Sequence, residues 1–206
     1  MKIAIEGIAG AGKSTLRDRI LALADQHELR VRHVGQFSWL SPSATRVLVN
    51  LRTGRAPVPR PLAIDAARDD LLLHAEHNLR TLHPSEHVLA DRLMLSTACM
   101  IELAHAGTAH TCLTELAAVK NARPDLTVLV TTPVDLCARR LATRSTSRPL
   151  DDPSTAARLR DLYEHCADTW CQLTRTPVRR YTLATNEDSE HAAHELIAEL
   201  KGNPAG

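Results

Sequence analysis

Near the start of the chain, Gly7-Ile8-Ala9-Gly10-Ala11-Gly12-Lys13-Ser14 fits the pattern G-x-x-x-x-G-K-[ST] at every fixed position. Each fixed residue has a physical reason. Glycines let the backbone turn so that its N–H groups converge on phosphate oxygens. Lys13 brings a mobile positive charge to β- and γ-phosphates, and the Ser14 hydroxyl is an oxygen ligand for Mg²⁺. A helix opening directly after the loop adds the positive end of its dipole. The implied chemistry is binding of ATP with Mg²⁺ and transfer of the terminal phosphoryl group, with Gly7, Ala9, Gly10, Ala11, Gly12, Lys13, Ser14 and Thr15 as the cradle.

A second constellation lies at Val88-Leu89-Ala90-Asp91-Arg92, where an apolar run ends in an acid and a base. In a parallel sheet, the C-terminal ends of such strands open on the same crevice as the first loop. There Asp91 is a metal ligand, directly or through water, together with Ser14, and Arg92 is a bidentate grip for an acceptor phosphate. An acceptor that is already a phosphate needs no general base. A hydroxyl acceptor does, and Asp91 or Asp65 is then the candidate. The base-reading Asn-Lys-x-Asp motif of guanine-specific GTPases does not occur; Asn186-Glu187-Asp188 is the nearest approach and lacks the lysine.

These residues require strands and helices in alternation. Lys2–Glu6 reads as a buried first strand and Ser14–Glu28 as an amphipathic helix, followed by a strand at Leu29–Val34. Pro42 and Ser43 mark a helix start, Thr53–Pro61 is a breaker-rich loop, and Leu62–Leu82 carries the spacing of one long helix. A third strand at His87–Ala90 ends at Asp91; helices follow near Leu93–Ala106 and Thr111–Asn121. Leu126–Thr131 is the clearest strand. Pro133 opens a helix at Val134–Arg144, Arg144–Pro153 is a loop, and Ser154–Leu173, Val178–Leu183 and Ser189–Leu200 complete the series as helix, strand and helix. The alternation predicts an α/β fold: a five-stranded parallel sheet with helices on both faces, in a single domain over 1–206.

In this order the motifs resemble the thymidylate kinase branch of the P-loop nucleoside-monophosphate kinases. Glu6–Thr15 is similar to that family's phosphate loop, Ala66-Ala67-Arg68 to a helix motif ending in a base-contacting arginine, Ala90-Asp91-Arg92 with Ser96-Thr97 to its strand end, and Arg123-Pro124-Asp125-Leu126-Thr127 to the lead into a later strand. The resemblance implies the P-loop NTPase fold, ATP and Mg²⁺ as cofactors, and a small-molecule phosphoryl acceptor, with room for a homodimer. It also implies a short lid at about 143–153, bearing Arg144 and Arg148, with Arg140 beside the nucleotide. Catalysis would then rest on Lys13, Asp91, Arg92, Arg144 and Arg148, and substrate binding on Gln36, Phe37, Ile64, Asp65, Arg68, Arg92, Ser96 and Met100.

The departures from that pattern gather at the acceptor side. Ala9 replaces an acidic residue of the loop, Ile64 a stacking phenylalanine and Met100 a tyrosine. Gly35-Gln36-Phe37-Ser38-Trp39 stands where the family has Arg-Glu-Pro-Gly-Gly. Phe37 or Trp39 is a candidate replacement platform, weighed against a plain core role for each. Two other readings stay open beside a nucleoside-monophosphate acceptor: phosphorylation of a hydroxyl on a non-nucleotide metabolite, and a P-loop switch without catalysis.

Composition sets outer bounds. A formal net charge of +1 gives no basic footprint for a nucleic-acid polymer. No apolar run is long enough for a bilayer span, so no membrane partner is expected. Cys99, Cys112, Cys137, Cys166 and Cys171, an odd set without Cys-x-x-Cys, read as reduced thiols of a cytoplasmic protein. The pairs His74/His77 and His191/His194 have zinc-compatible spacing, but neither has third and fourth ligands.

Overall fold

The computed structural model describes residues 1–143 and 153–202. Of the lid expected at about 143–153, residues 144–152, with Arg144 and Arg148, lie outside the described residues.

Five strands, β1 (Lys2–Glu6), β2 (Arg30–Val34), β3 (Glu86–Asp91), β4 (Leu126–Val130) and β5 (Val178–Tyr181), form one sheet in the order β2-β3-β1-β4-β5. Every pairing is parallel, with Ile5 opposite Asp91 and Glu6 opposite Leu129. Helices cover the sheet: α1 (Lys13–Gln26), α2 (Pro42–Thr53), α3 (Arg60–Leu73), α4 (Met94–Ala104), α5 (Ala109–Ala118), α6 (Val134–Ala142), α7 (Pro153–Thr174) and α8 (Asn186–Gly202). All five residues of β4, and all of β1 after Lys2, are buried. Strands without an alternating solvent face belong to a sheet covered on both sides. This is the P-loop NTPase fold expected from the sequence. Among the described residues no helix is long and apolar enough to cross a membrane, and all five cysteines are unpaired thiols.

Local chemistry sets the helix ends. The Ser41 hydroxyl accepts from Ala44 N at 3.3 Å, with Pro42 in the first turn, and Gly54 closes α2 in the left-handed region at φ 63°. The long helix expected over Leu62–Leu82 is instead α3 followed by one π-turn, His74–Asn78. Its cause is tertiary. His74 Nε2 meets Gly35 O at 2.9 Å, Asn78 Nδ2 donates to Ser38 O at 3.2 Å, and the Arg32 guanidinium takes the carbonyls of Asn78 and Arg80. The wide turn buries Leu79 and leaves Leu82, beyond the helix, 85% exposed. At the other end of the chain, α8 starts three residues earlier than expected. Thr185 N donates to Asp188 Oδ2 at 2.7 Å and Asp188 N to Thr185 Oγ1 at 3.1 Å, a reciprocal capping box. Asn186-Glu187-Asp188 is thus the first turn of that helix.

Candidate active site

The loop between β1 and α1 is shaped by close backbone approaches that leave no room for side chains. At Gly7, φ is +136° and an added Cβ would lie 2.6 Å from Val130 O; at Gly10, φ is +78° and a Cβ would lie 2.6 Å from Cys137 O. Gly12 enters α1 at φ 103° with no side-chain cap, so the first-turn N–H groups remain available to an anion. Thr132, fully buried, ties the loop down from the end of β4: its hydroxyl donates to Ala11 O at 2.8 Å and accepts from Leu183 N at 3.1 Å. Lys13 Nζ donates to Ile8 O across the loop. Burial pushes the Lys13 ammonium well below the usual lysine range, and nearby Arg92 adds to the effect. A phosphate placed in the loop would reverse that cost, because an adjacent anion favours the charged lysine.

Above the loop opens a cavity of about 550 Å³, a volume suited to small-molecule ligands. Gly10, Gly12, Lys13, Ser14 and Thr15 line its floor. One end is walled by Arg140, Thr185, Asn186 and Ser189, and the other by Gln36, Trp39, Arg52, Asp91 and Arg92. Arg140 Nη2 donates to Leu183 O and Ala184 O, both at 2.9 Å, and Nη1 to Gly10 O at 3.4 Å, so it links the loop to the segment after β5.

Asp91, the last residue of β3, accepts from Arg17 Nη1 through Oδ2 at 2.9 Å, and its Oδ1 makes no hydrogen bond among the described residues. Ser14 is exposed on the cavity floor. A hydroxyl and a carboxylate oxygen fit the hard-oxygen preference of Mg²⁺, which takes its remaining ligands from water and nucleotide phosphates.

Arg92 adopts the left-handed region at φ 72°. Its N–H donates to Ile5 O at 2.9 Å, and its Nη1 to Gly7 O at 2.9 Å, Ser96 Oγ at 3.1 Å and the Tyr163 hydroxyl at 2.7 Å. Its Nη2 and Nε make no hydrogen bond among the described residues, which leaves one edge of the guanidinium for a ligand. Beneath it lies Glu6, buried at the end of β1, whose carboxylate accepts from the N–H groups of Leu93, Leu95 and Ser96 at 2.9–3.1 Å and from the Ser96 hydroxyl. Those donors are orphan groups at the start of α4. Burial pushes the Glu6 carboxyl up, against the pull of Ser96 and Arg92.

The structure separates the expected acceptor residues. Gln36 lines the cavity and donates to Thr97 Oγ1 at 3.2 Å. Phe37 and Met100 are core residues, and Ser96 is buried and engaged with Glu6 and Tyr163. Ile64 packs partly buried against the core. Asp65 is exposed on α3, and Arg68 pairs with Glu115 of α5 at 3.6 Å; neither lines the cavity. Sequence reasoning missed Glu6, Arg17 and Arg52, and left Trp39 undecided. Of these, Glu6 carried a signal, since an acid directly after the apolar run Ile3-Ala4-Ile5 of a buried strand must find buried donors.

A family model for thymidylate kinase matches residues 5–197 of the 206. A search of curated proteins finds no match. With the parallel sheet, the phosphate loop and the Asp91-Arg92 strand end in place, the chain belongs to the thymidylate kinase family, phosphotransferases that use ATP.

Proposed function

We propose that the protein transfers the γ-phosphoryl group of ATP, with Mg²⁺, to the phosphate of a nucleoside monophosphate or close analogue, in the cytoplasm and within one domain. The observation that carries this reading is the charge of the described residues that line the cavity: Lys13, Arg52, Arg92 and Arg140 against Asp91, itself paired with Arg17. Such a surplus of positive charge suits two phosphate-bearing substrates side by side. A hydroxyl acceptor would call for an available carboxylate. Asp65, the other candidate base, stands outside the cavity lining.

The donor occupies the loop, with its base toward Arg140, Thr185 and Asn186. Ser14 and Asp91 would hold Mg²⁺, which supplies neutralisation of phosphate charge. Arg92, fixed on one edge by Gly7, Ser96 and Tyr163, presents its other edge to the acceptor phosphate. An acceptor oxygen attacks the γ-phosphorus, the bond to the β-phosphate oxygen breaks, and ADP leaves. Lys13, with Arg144 and Arg148 from the lid the resemblance implies, counters the charge of a loose transition state. A panel of nucleoside monophosphates in a coupled ADP-release assay tests the reading. Turnover of at least one is expected; ATP binding without turnover of any member would sink it, and turnover of nucleosides alone would mean a hydroxyl acceptor.

A further inference from the structure

We infer that Trp39 is the ring-stacking platform of the acceptor end of the cavity, so the acceptor taken here is a planar aromatic molecule carrying an anionic group. This rests on the reading that the Asp91–Arg92 end receives the acceptor. Trp39 lines that end of the cavity, yet 59% of its surface is exposed. It also sits at φ 61°, a conformation that bulky residues rarely adopt and that persists only where surrounding structure imposes it. The imposing structure is visible. Asp70 of α3, almost fully buried, accepts from Ser38 N through both carboxylate oxygens at 3.0–3.1 Å and from the Ser38 hydroxyl at 2.7 Å. Ser38 Oγ in turn accepts from Leu40 N at 3.1 Å, and Ser38 O accepts from Asn78 of the π-turn. The Phe37 ring meets the Trp39 indole edge-on, with centroids 5.7 Å apart and planes at 82°. Trp39 is therefore clamped on both sides and still lines the cavity with more than half of its surface exposed.

Helix α3 offers no comparable surface. Where the Gln36-Phe37 segment meets α3 and α4, the remaining void is about 10 Å³, no more than one water requires. The ring of an acceptor cannot enter there, whereas beside Trp39 it finds an aromatic face in the same cavity lining as Arg92. A flat ring over the indole and an anion on the open edge of Arg92 is the ligand chemistry that wall recognises.

Trp39 and Trp170 are the only two tryptophans, and Trp170 is buried. Fluorescence is titrated with the full chain saturated with Mg²⁺ and a non-hydrolysable ATP analogue. The ligands are nucleoside monophosphates, the matching nucleosides and ribose 5-phosphate, and Trp39→Phe supplies the Trp170 background. Aromatic ligands should quench the Trp39 signal, and ribose 5-phosphate should not. In turnover, Trp39→Ala should raise acceptor KM roughly 5- to 150-fold, the range of one lost base–aromatic stack, with kcat little changed; Trp39→Phe should restore most of the affinity. Absence of quenching across the whole panel overturns the platform. Turnover of monophosphates with an unchanged KM in Trp39→Ala also overturns it, while leaving the proposed function intact. Quenching and turnover with nucleosides alone would overturn both the monophosphate reading and the anionic group inferred here, and leave only the ring platform standing.

Discussion

Asp91 on β3 and Arg17 on α1 meet at 2.9 Å although 74 residues separate them in the chain. Both side chains are about one-fifth exposed, so the pair is partly shielded from solvent. Arg17 would thereby compete with Mg²⁺ for the carboxylate proposed to hold it. Asp91→Asn should raise the Mg²⁺ concentration for half-maximal activity roughly tenfold, about 1.4 kcal/mol of lost ligation. Arg17→Ala should lower it. A magnesium titration of ADP release reads both; movement of the two variants in the same direction would remove Asp91 from the metal role.

Lys13 places the charge proposed to act on the phosphates in a costly, buried location. Lys13→Met should reduce kcat about 10²- to 10³-fold, as loss of one transition-state donor does elsewhere, while raising the melting temperature of the nucleotide-free protein. The sign follows from the lowered pKa of the folded state: over the window between it and the ordinary value of 10.5, the unfolded chain binds more protons. Wild-type stability therefore rises with pH in that window, and the gap to Lys13→Met narrows. Melting curves across alkaline pH check this.

Glu6→Ala removes the acceptor for three buried N–H groups at the start of α4. The cost should be roughly 3 kcal/mol, or a melting temperature lower by roughly 6–12 °C for a chain of this size. Because burial raises the Glu6 pKa above its ordinary 4.5, the folded state binds more protons just above that value. Wild-type stability should thus fall as pH rises from 4.5 through the folded pKa, a slope that Glu6→Gln abolishes. Urea unfolding at several pH values measures both effects.

Cysteine reactivity offers a direct check of packing. Cys171 is exposed and the other four thiols are buried. Burial pushes Cys112 up to about 12 and holds Cys99, beside Cys166, well above the usual thiol range. An aromatic disulfide reagent at pH 8 should titrate one thiol rapidly in the native protein and five after denaturation, since thiolate fraction and access govern the rate. Two or more fast thiols would contradict the burial of Cys99, Cys112, Cys137 and Cys166.

Continuous signals were legible in the sequence, and contacts across the chain were not. The phosphate loop is one unbroken run, and β1, β3 and β4 are apolar runs bounded by breakers, so the donor half of the site could be read directly. Arg17 and Glu6 acquire their roles from partners more than 70 residues away. Helix α3 stops short of the expected Leu82 although its apolar spacing continues past His74, because Arg32, Gly35 and Ser38 draw the backbone there into a π-turn. Ser96 and Met100 lie on α4, buried at every position from Met94 to Ile101. A helix apolar on all sides belongs to the core, and that pattern was available to argue against a substrate role for both.

The central place of β1 has a consequence for biosynthesis. Its neighbours are β3 and β4, and two of its loop glycines are seated against Val130 and Cys137. Parallel pairing depends on such long-range closure. A ribosome that has just released the glycine loop has made the motif without the site. The wall of the pocket includes Thr185, Asn186 and Ser189, so it is complete only once that last segment has emerged, and nucleotide can assist folding only in its late stages.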